Sequence, residues 1–242
     1  MFIKLLSKER ENKMIGIYDY TVILTYLSLL SAGSGIVISL SCDGHPYFGM
    51  FFLLFCGLCD AFDGKVARTK ENRSDMEKNY GIQIDSLSDV VAFGVLPACI
   101  GVAVLWRSPL FNSIFRAIHP FGALFRALLF AMMILYILAA VIRLAYFNVT
   151  EEERQKKEGG VRAYYTGLPV TSASIVFPMV LVLQYLTPNF DISFVYPVLS
   201  LVMGGAFLSK LQIRKPTTKG ILVMIAIGAA EGVAMILFRF VF

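Results

Sequence analysis

The sequence is short of charge. Asp, Glu, Lys and Arg make up 16% of its 242 residues, whereas soluble domains carry about a quarter. Hydrophobic residues reach 57% and the mean hydropathy is +0.69, so a soluble globular class is excluded and the chain reads as an integral membrane protein. Histidine is scarcer still: only His45 and His119 occur, both in expected outer loops and far from the acidic residues discussed below. Of four cysteines, Cys42, Cys56, Cys59 and Cys99, the middle two have the spacing of a redox or zinc pair, but no second pair accompanies them. So few nitrogen and sulfur ligands disfavour zinc and copper, and the cysteines read as small packing residues.

What fills the chain is apolar runs. A helix crossing the hydrocarbon core takes about 20 apolar residues, and about seven such stretches can be placed. They run near Tyr18 to Leu40, Tyr47 to Ala67, Ile82 to Trp106, Phe121 to Phe147, Leu168 to Leu186, Ile192 to Ser209 and Gly220 to Phe242. Lipid offers no partner to an unpaired peptide group, so the backbone at that depth must be helical. The expected fold class is all-α, a polytopic membrane helical bundle of about seven transmembrane helices.

The formal net charge of +5 is unevenly spread. Basic residues gather in the amino-terminal arm (Lys4, Lys8, Arg10, Lys13), in Lys65 to Lys78, in Arg143 to Arg162 and in Lys210 to Lys219. The positive-inside rule makes these regions cytoplasmic, with Arg107 and Arg116 as exceptions in an outer loop. Seven spans then leave the C-terminus outside. The basic loops match a membrane surface, and nucleic acid is not an expected partner. Met1 to Asn12 lacks a small-residue cleavage site and is not read as a signal peptide; it suits a short interfacial helix or a disordered cytoplasmic end. Glu231, within the last span, reads as a buried helix-contact residue. The expected organisation is residues 1–16 as the arm, 17–209 as the transmembrane domain, and 210–242 as a basic loop with the C-terminal span.

One cluster breaks the apolar pattern: Asp60-Ala61-Phe62-Asp63-Gly64-Lys65-Val66-Ala67-Arg68, then Gly81, Asp85 and Asp89. An ionised group near a bilayer centre costs roughly 2.5 to 3.5 kcal/mol on insertion scales, so four carboxylates at helix ends need water, a partner or a metal. Asp60 and Asp63 lie about 60° apart around a helix, and Asp85 and Asp89, four residues apart, also share a face, with Gly81 one turn earlier. Two facing helices thus present two carboxylates each. An all-oxygen set suits a pair of hard divalent cations, Mg2+ or Mn2+. Gly64 and Ala67 are small enough to admit a bulky anion, and Arg68 can grip a phosphate with its planar fork. Such equipment serves displacement at phosphorus, with a spare carboxylate taking the nucleophile's proton. A cation or proton pathway in a transporter is the alternative reading of the same spacing.

At these residues the chain resembles the CDP-alcohol phosphotransferase family, whose signature is Asp, two residues, Asp-Gly, two residues, Ala-Arg, a spacer, then Gly, Asp and Asp at four-residue intervals. Every fixed position is present. The spacer from Arg68 to Gly81 holds twelve residues, longer than usual, with the extra residues placed near Glu77 to Tyr80 as an added helical turn. The resemblance implies that Asp60, Asp63, Asp85 and Asp89 hold two divalent cations, that Asp89 is also the general base, and that Gly64, Ala67, Arg68, Ser74 and Gly81 meet the CDP-lipid donor. Asp85-Ser86-Leu87-Ser88-Asp89, Phe93 to Ala98, Arg143 to Asn148 and Gly167-Leu168-Pro169 resemble the phosphatidylserine synthase branch. That resemblance implies L-serine as acceptor for a phosphatidyl group from CDP-diacylglycerol; inositol, inositol phosphate and glycerol phosphate are the alternatives. Arg143 is the candidate partner of the serine carboxylate, or else a side chain snorkelling to headgroups, and Asn148 a hydrogen-bonding partner of the acceptor. A homodimer in the cell membrane, with the active site facing the cytoplasm, is expected from the same resemblance.

Overall fold

All seven apolar stretches are helical in the computed structural model, which describes residues 15–41, 45–118, 120–157, 164–187, 191–215 and 218–241. The arm Met1 to Asn12, Cys42, His119 and Arg162 lie outside the described residues. The helices are α1 (Ile23–Leu40), α2 (Pro46–Ala67), α3 (Asp75–Asp89), α4 (Leu96–Arg107), α5 (Pro109–Ala117), α6 (Gly122–Lys157), α7 (Ala173–Leu186), α8 (Val195–Leu208) and α9 (Thr218–Val241). By length and apolarity four segments can cross a membrane: Tyr20–Leu40, Asp75–Arg107, Gly122–Lys157 and Lys219–Leu237. Large apolar side chains point outward along them, for example Leu30, Val37 and Leu124, as lipid-facing surfaces require. The chain is a multi-pass membrane protein.

Local chemistry sets the boundaries. α2 opens with Pro46 in its first turn, behind His45, whose ring accepts from the Tyr47 N–H at 3.3 Å; Pro is tolerated there because that N–H has no helical partner. The third stretch begins at Asp75 rather than Ile82, because Ser74 and Glu77 form a reciprocal capping box. The fourth runs on to Lys157 rather than stopping near Phe147. Ion pairs Glu151–Arg154 and Glu152–Lys156 support those polar turns in water. Helix α5 was not expected. Ser108 caps it, Pro109 starts it, and the Arg126 guanidinium lies 4.0 Å from the Phe115 ring centre.

α3 and α4 form one rod joined by a π-helical turn, Val90–Val95, in which the Leu96 N–H bonds to the Val91 carbonyl. Pro97 gives the physical cause. It has no N–H for the carbonyl four residues back, that of Phe93, and the buried Tyr136 hydroxyl of α6 donates to that carbonyl instead. Tyr196 of α8 donates to the Pro97 carbonyl at 2.9 Å. Around these two tyrosines pack Phe177 and Phe207. α1 and α2 are joined by Ser31 donating to Phe52 O at 3.1 Å and Cys56 to Ser28 O at 3.3 Å. Such bonds between membrane helices contribute roughly 0.6 kcal/mol each.

Two short strands complete the fold: β1 (Tyr164–Thr166) pairs antiparallel with β2 (Gln212–Arg214), Tyr165 opposite Ile213. The chain leaves β1 through Gly167 at φ +80°, where a Cβ would lie 2.6 Å from the Phe207 carbonyl. Only glycine fits that turn.

Candidate active site

The four aspartates come together where the C-terminal end of α2 meets the C-terminal half of α3. Asp63 and Asp85 lie within hydrogen-bonding reach of each other, Asp60 acts electrostatically on Asp85, and Asp89 on all three. Asp89 is the last residue of α3 before the π-helical turn, and it is buried, at 9% exposure. Asp63 also accepts from the Gly64 N–H. Among the described residues no lysine or arginine forms an ion pair with any of the four; the ion pairs lie elsewhere.

Those facts test the fit of a divalent cation. The donors are all hard oxygens, two from each helix, crowded at short range and without a cationic partner, so the missing charge is the one such an ion would supply. Among the described residues no three acidic, histidine or cysteine groups already converge on a single ligand point. The donor set fits such an ion, because carboxylate rotation about χ1 and χ2 is inexpensive and can bring the oxygens to one point.

Three of the aspartates, Asp60, Asp85 and Asp89, line a cavity of about 810 Å³. Phe51, Leu54, Phe55 and Leu58 of α2 and Ile221, Ile225, Gly228 and Gly232 of α9 supply much of its lining. Arg143, Asn148, Tyr165, Arg214 and Lys215 complete the polar part of the lining. One cavity therefore joins carboxylates, cationic side chains and a largely apolar lining.

Of the residues expected at the site, Asp60, Asp85, Asp89, Arg143 and Asn148 line this cavity, while Asp63, Gly64, Ala67, Arg68, Ser74 and Gly81 do not. Arg68 is exposed, and its guanidinium nitrogens lie 3.5 and 3.8 Å from where a Cβ on Gly64 would stand; an added side chain would narrow that space. Ser74 accepts from Glu77 N at 3.2 Å as the cap of α3. At Gly81 a Cβ would come 2.7 Å from Nη2 of Arg73. Arg143 does not snorkel: it is 6% exposed, and it donates to the Leu168 and Gly167 carbonyls at 3.3 and 3.4 Å. Its position beside the apolar lining, between α6 and the entry to α7, explains the difference, since a buried guanidinium must find acceptors. Asn148 donates to Ser86 Oγ at 2.7 Å, joining α6 to the aspartate-bearing α3. Glu231 is buried as expected, with neither carboxylate oxygen hydrogen-bonded.

Sequence reasoning did not single out Ser86 as a partner of Asn148, nor Arg73, Tyr165, Arg214 and Lys215. The last two read only as part of a basic loop. Nothing local in the sequence marks a strand of three residues that carries them to the cavity.

Outside the aspartates, Lys70 ties the segment before α1 to the start of α3, with Nζ at 2.5 Å from Asp19 and 2.7 Å from Glu77. Its bonds to Asp19 and then Glu77 hold the ammonium pKa above the ordinary lysine value. Tyr26 and Tyr80 hydroxyls meet at 2.7 Å beside it. The spacer's extra residues, Glu77 to Tyr80, are helical within α3.

Comparison with known proteins bears on this geometry. Residues 21–208 match the family model described as CDP-alcohol phosphatidyltransferase. The chain is similar to a CDP-diacylglycerol--serine O-phosphatidyltransferase of Saccharomyces cerevisiae, 34% identical over 167 residues, 64% of this chain and 51% of the relative. It is similar to an archaetidylserine synthase of Methanothermobacter thermautotrophicus, 34% identical over 150 residues, 62% of this chain and 53% of the relative. A Mycobacterium tuberculosis protein with the first of these names is 26% identical over 171 residues, 71% of this chain and 51% of the relative. The chain spans about half the length of the curated relatives it matches.

Proposed function

Because the chain belongs to the CDP-alcohol phosphatidyltransferase family, a family that depends on divalent cations, we propose that it transfers phosphatidyl from CDP-diacylglycerol to the hydroxyl of L-serine and releases CMP. The observation that carries this reading is one cavity lined both by three of the clustered carboxylates, Asp60, Asp85 and Asp89, and by apolar side chains of α2 and α9. That lining suits a lipid with a charged head. The names of the similar proteins, each for transfer to serine, support the acceptor.

In the proposed mechanism Asp60, Asp63, Asp85 and Asp89 hold two divalent cations, Mg2+ or Mn2+. When bound, these ions neutralise charge on the diphosphate and on the departing CMP oxygen. Gly64 and Ala67 leave room for the CDP head, and Arg68 grips its phosphate oxygens. The apolar faces of α2 and α9 border the acyl part. Serine enters the polar side of the cavity from the cytoplasm, where Asn148, held by Ser86, accepts or donates to its polar groups, and the Arg143 side of the cavity attracts its carboxylate. Asp89 takes the hydroxyl proton as the serine oxygen attacks the lipid-proximal phosphorus, and the bond from that phosphorus to the CMP oxygen breaks. Holding both reactants in line contributes much of the rate.

The same reading places the protein in the cell membrane as a homodimer, with residues 17–209 as the catalytic domain, the arm 1–16 and the basic loops on the cytoplasmic side, and the segment 210–242 as an appended span ending outside. Purified protein given labelled CDP-diacylglycerol and one alcohol at a time tests the function. CMP release with serine is expected; release only with inositol, inositol phosphate or glycerol phosphate would reassign the acceptor, and none with any alcohol would end the enzyme reading.

A further inference from the structure

The segment between α2 and α3 contains an arginine that the mechanism does not use. Arg73 donates from Nη2 to the Glu77 carbonyl at 3.1 Å and from Nη1 to the Ala67 carbonyl at 3.5 Å, while its Nε is buried and unbonded. Ala67 is the last residue of α2, so its carbonyl has no helical donor of its own. Asp63 lies one turn before it. Glu77 sits in the first turn of α3, and Gly81 lies one turn further on, one turn short of Asp85. The guanidinium thus bridges the ends of the two helices that carry the aspartates.

Gly81 stands directly under that bridge. A methyl group there would come 2.7 Å from Nη2, closer than such atoms approach, so the end of the guanidinium, which donates from the same nitrogen to the Glu77 carbonyl, would have to shift. We propose that Arg73 is a positioning residue that sets the spacing between the Asp60–Asp63 and Asp85–Asp89 pairs, and that a side chain at position 81 would disturb the guanidinium that does so. The proposal rests on the reading that the four aspartates hold divalent cations. Other ties remain when Arg73 is lost, since Lys70 still reaches Asp19 and Glu77 and the Ser74–Glu77 box still caps α3. The helices therefore stay assembled but less accurately spaced.

The test is a double-mutant cycle read by Mn2+ binding, measured from the electron paramagnetic resonance of free Mn2+ with the purified protein in detergent, beside the CMP-release assay. Arg73→Ala should raise the Mn2+ concentration for half-saturation by about tenfold, the worth of one hydrogen bond from a charged group. Much of the turnover rate should return at saturating Mn2+. Arg73→Lys should recover part of the loss. Gly81→Ala should weaken Mn2+ binding when Arg73 is present and add nothing in the Arg73→Ala background. Equal losses from Gly81→Ala in both backgrounds would overturn the proposal, as would unchanged Mn2+ binding in Arg73→Ala. If Arg73→Ala fails to fold, Gly81→Ala in wild-type and Arg73→Lys backgrounds carries the same comparison. Failure of the parent reading is separate: wild-type protein would then bind no Mn2+ that Asp60→Asn removes, and this proposal would fall with it.

Discussion

Replacing Tyr136 with Phe removes one hydroxyl and leaves the ring packed between Phe177 and Phe207, whose centres lie 5.5 Å away on either side. Tyr136 is fully buried, and its hydroxyl donates to the Phe93 carbonyl inside the π-helical turn. Interhelical hydrogen bonds in membranes average roughly 0.6 kcal/mol and reach about 1.7, low because the acceptor usually finds another donor. Here the α-helical donor would be residue 97, and residue 97 is proline. The cost should fall at the upper end, about 1.5 kcal/mol or somewhat more, since a buried carbonyl left unbonded costs about 1 to 3 kcal/mol. Tyr196 supplies the control. Its hydroxyl donates to the Pro97 carbonyl at 2.9 Å, but that carbonyl lies in the regular first turn of α4 and keeps a backbone donor. Tyr196→Phe should therefore cost only about 0.6 kcal/mol. Unfolding of both variants in mixed micelles, followed by tryptophan fluorescence or circular dichroism, measures the difference. Equal losses, or a larger loss for Tyr196→Phe, would refute the argument that Pro97 creates the need for Tyr136.

Asp89→Asn should abolish CMP release while CDP-diacylglycerol still binds; near-normal turnover would remove Asp89 from the role of base. Asn148→Ala frees Ser86 and empties part of the cavity's polar side, so KM for serine should rise by about tenfold with little change in KM for the lipid donor. A rise in the lipid KM alone would place Asn148 with the other substrate. Lys70 bears on pH: its pKa is raised by bonds to Asp19 and Glu77, so the tie is complete below the ordinary lysine value, about 10.4, and is lost as pH rises through the higher folded value. The protection of amides in residues 15–22, taken relative to the base-catalysed exchange of an unstructured chain at the same pH, should fall only in that alkaline range, and Lys70→Ala should show low protection already at neutral pH. Identical profiles for the two proteins would rule out this anchor.

Long apolar runs and the four-residue rhythm of acidic side chains were readable because both are local properties of one helix. Asp60, Asp85 and Asp89 line the same cavity, and the stretch from Tyr47 to Ala67 is helical almost to the residue. The π-helical turn after Asp89 was missed, although Pro97 four residues beyond Phe93 is a signal that a helical carbonyl lacks its donor. Arg143 illustrates a different limit. Its charge near a helix end reads equally as a headgroup contact or a buried group, and only the approach of Gly167 and Leu168 from another part of the chain decides it. The ladder between β1 and β2 depends on residues almost fifty positions apart, which no periodicity reports. Helix α5 escaped because its nine residues are too few to span the hydrocarbon core.

Helix α9 contributes to the cavity lining, yet only 11% of its apolar stretch is buried. On that side the cavity is bordered by one largely exposed helix. Substitutions on its inner stripe, such as Gly228 or Gly232 facing Leu54, alter the bore of the chamber while leaving the tightly interlocked tyrosine centre untouched. The cavity lining supplied by α9 and the packed tyrosine centre thus lie in different helices, so the one can vary without the other.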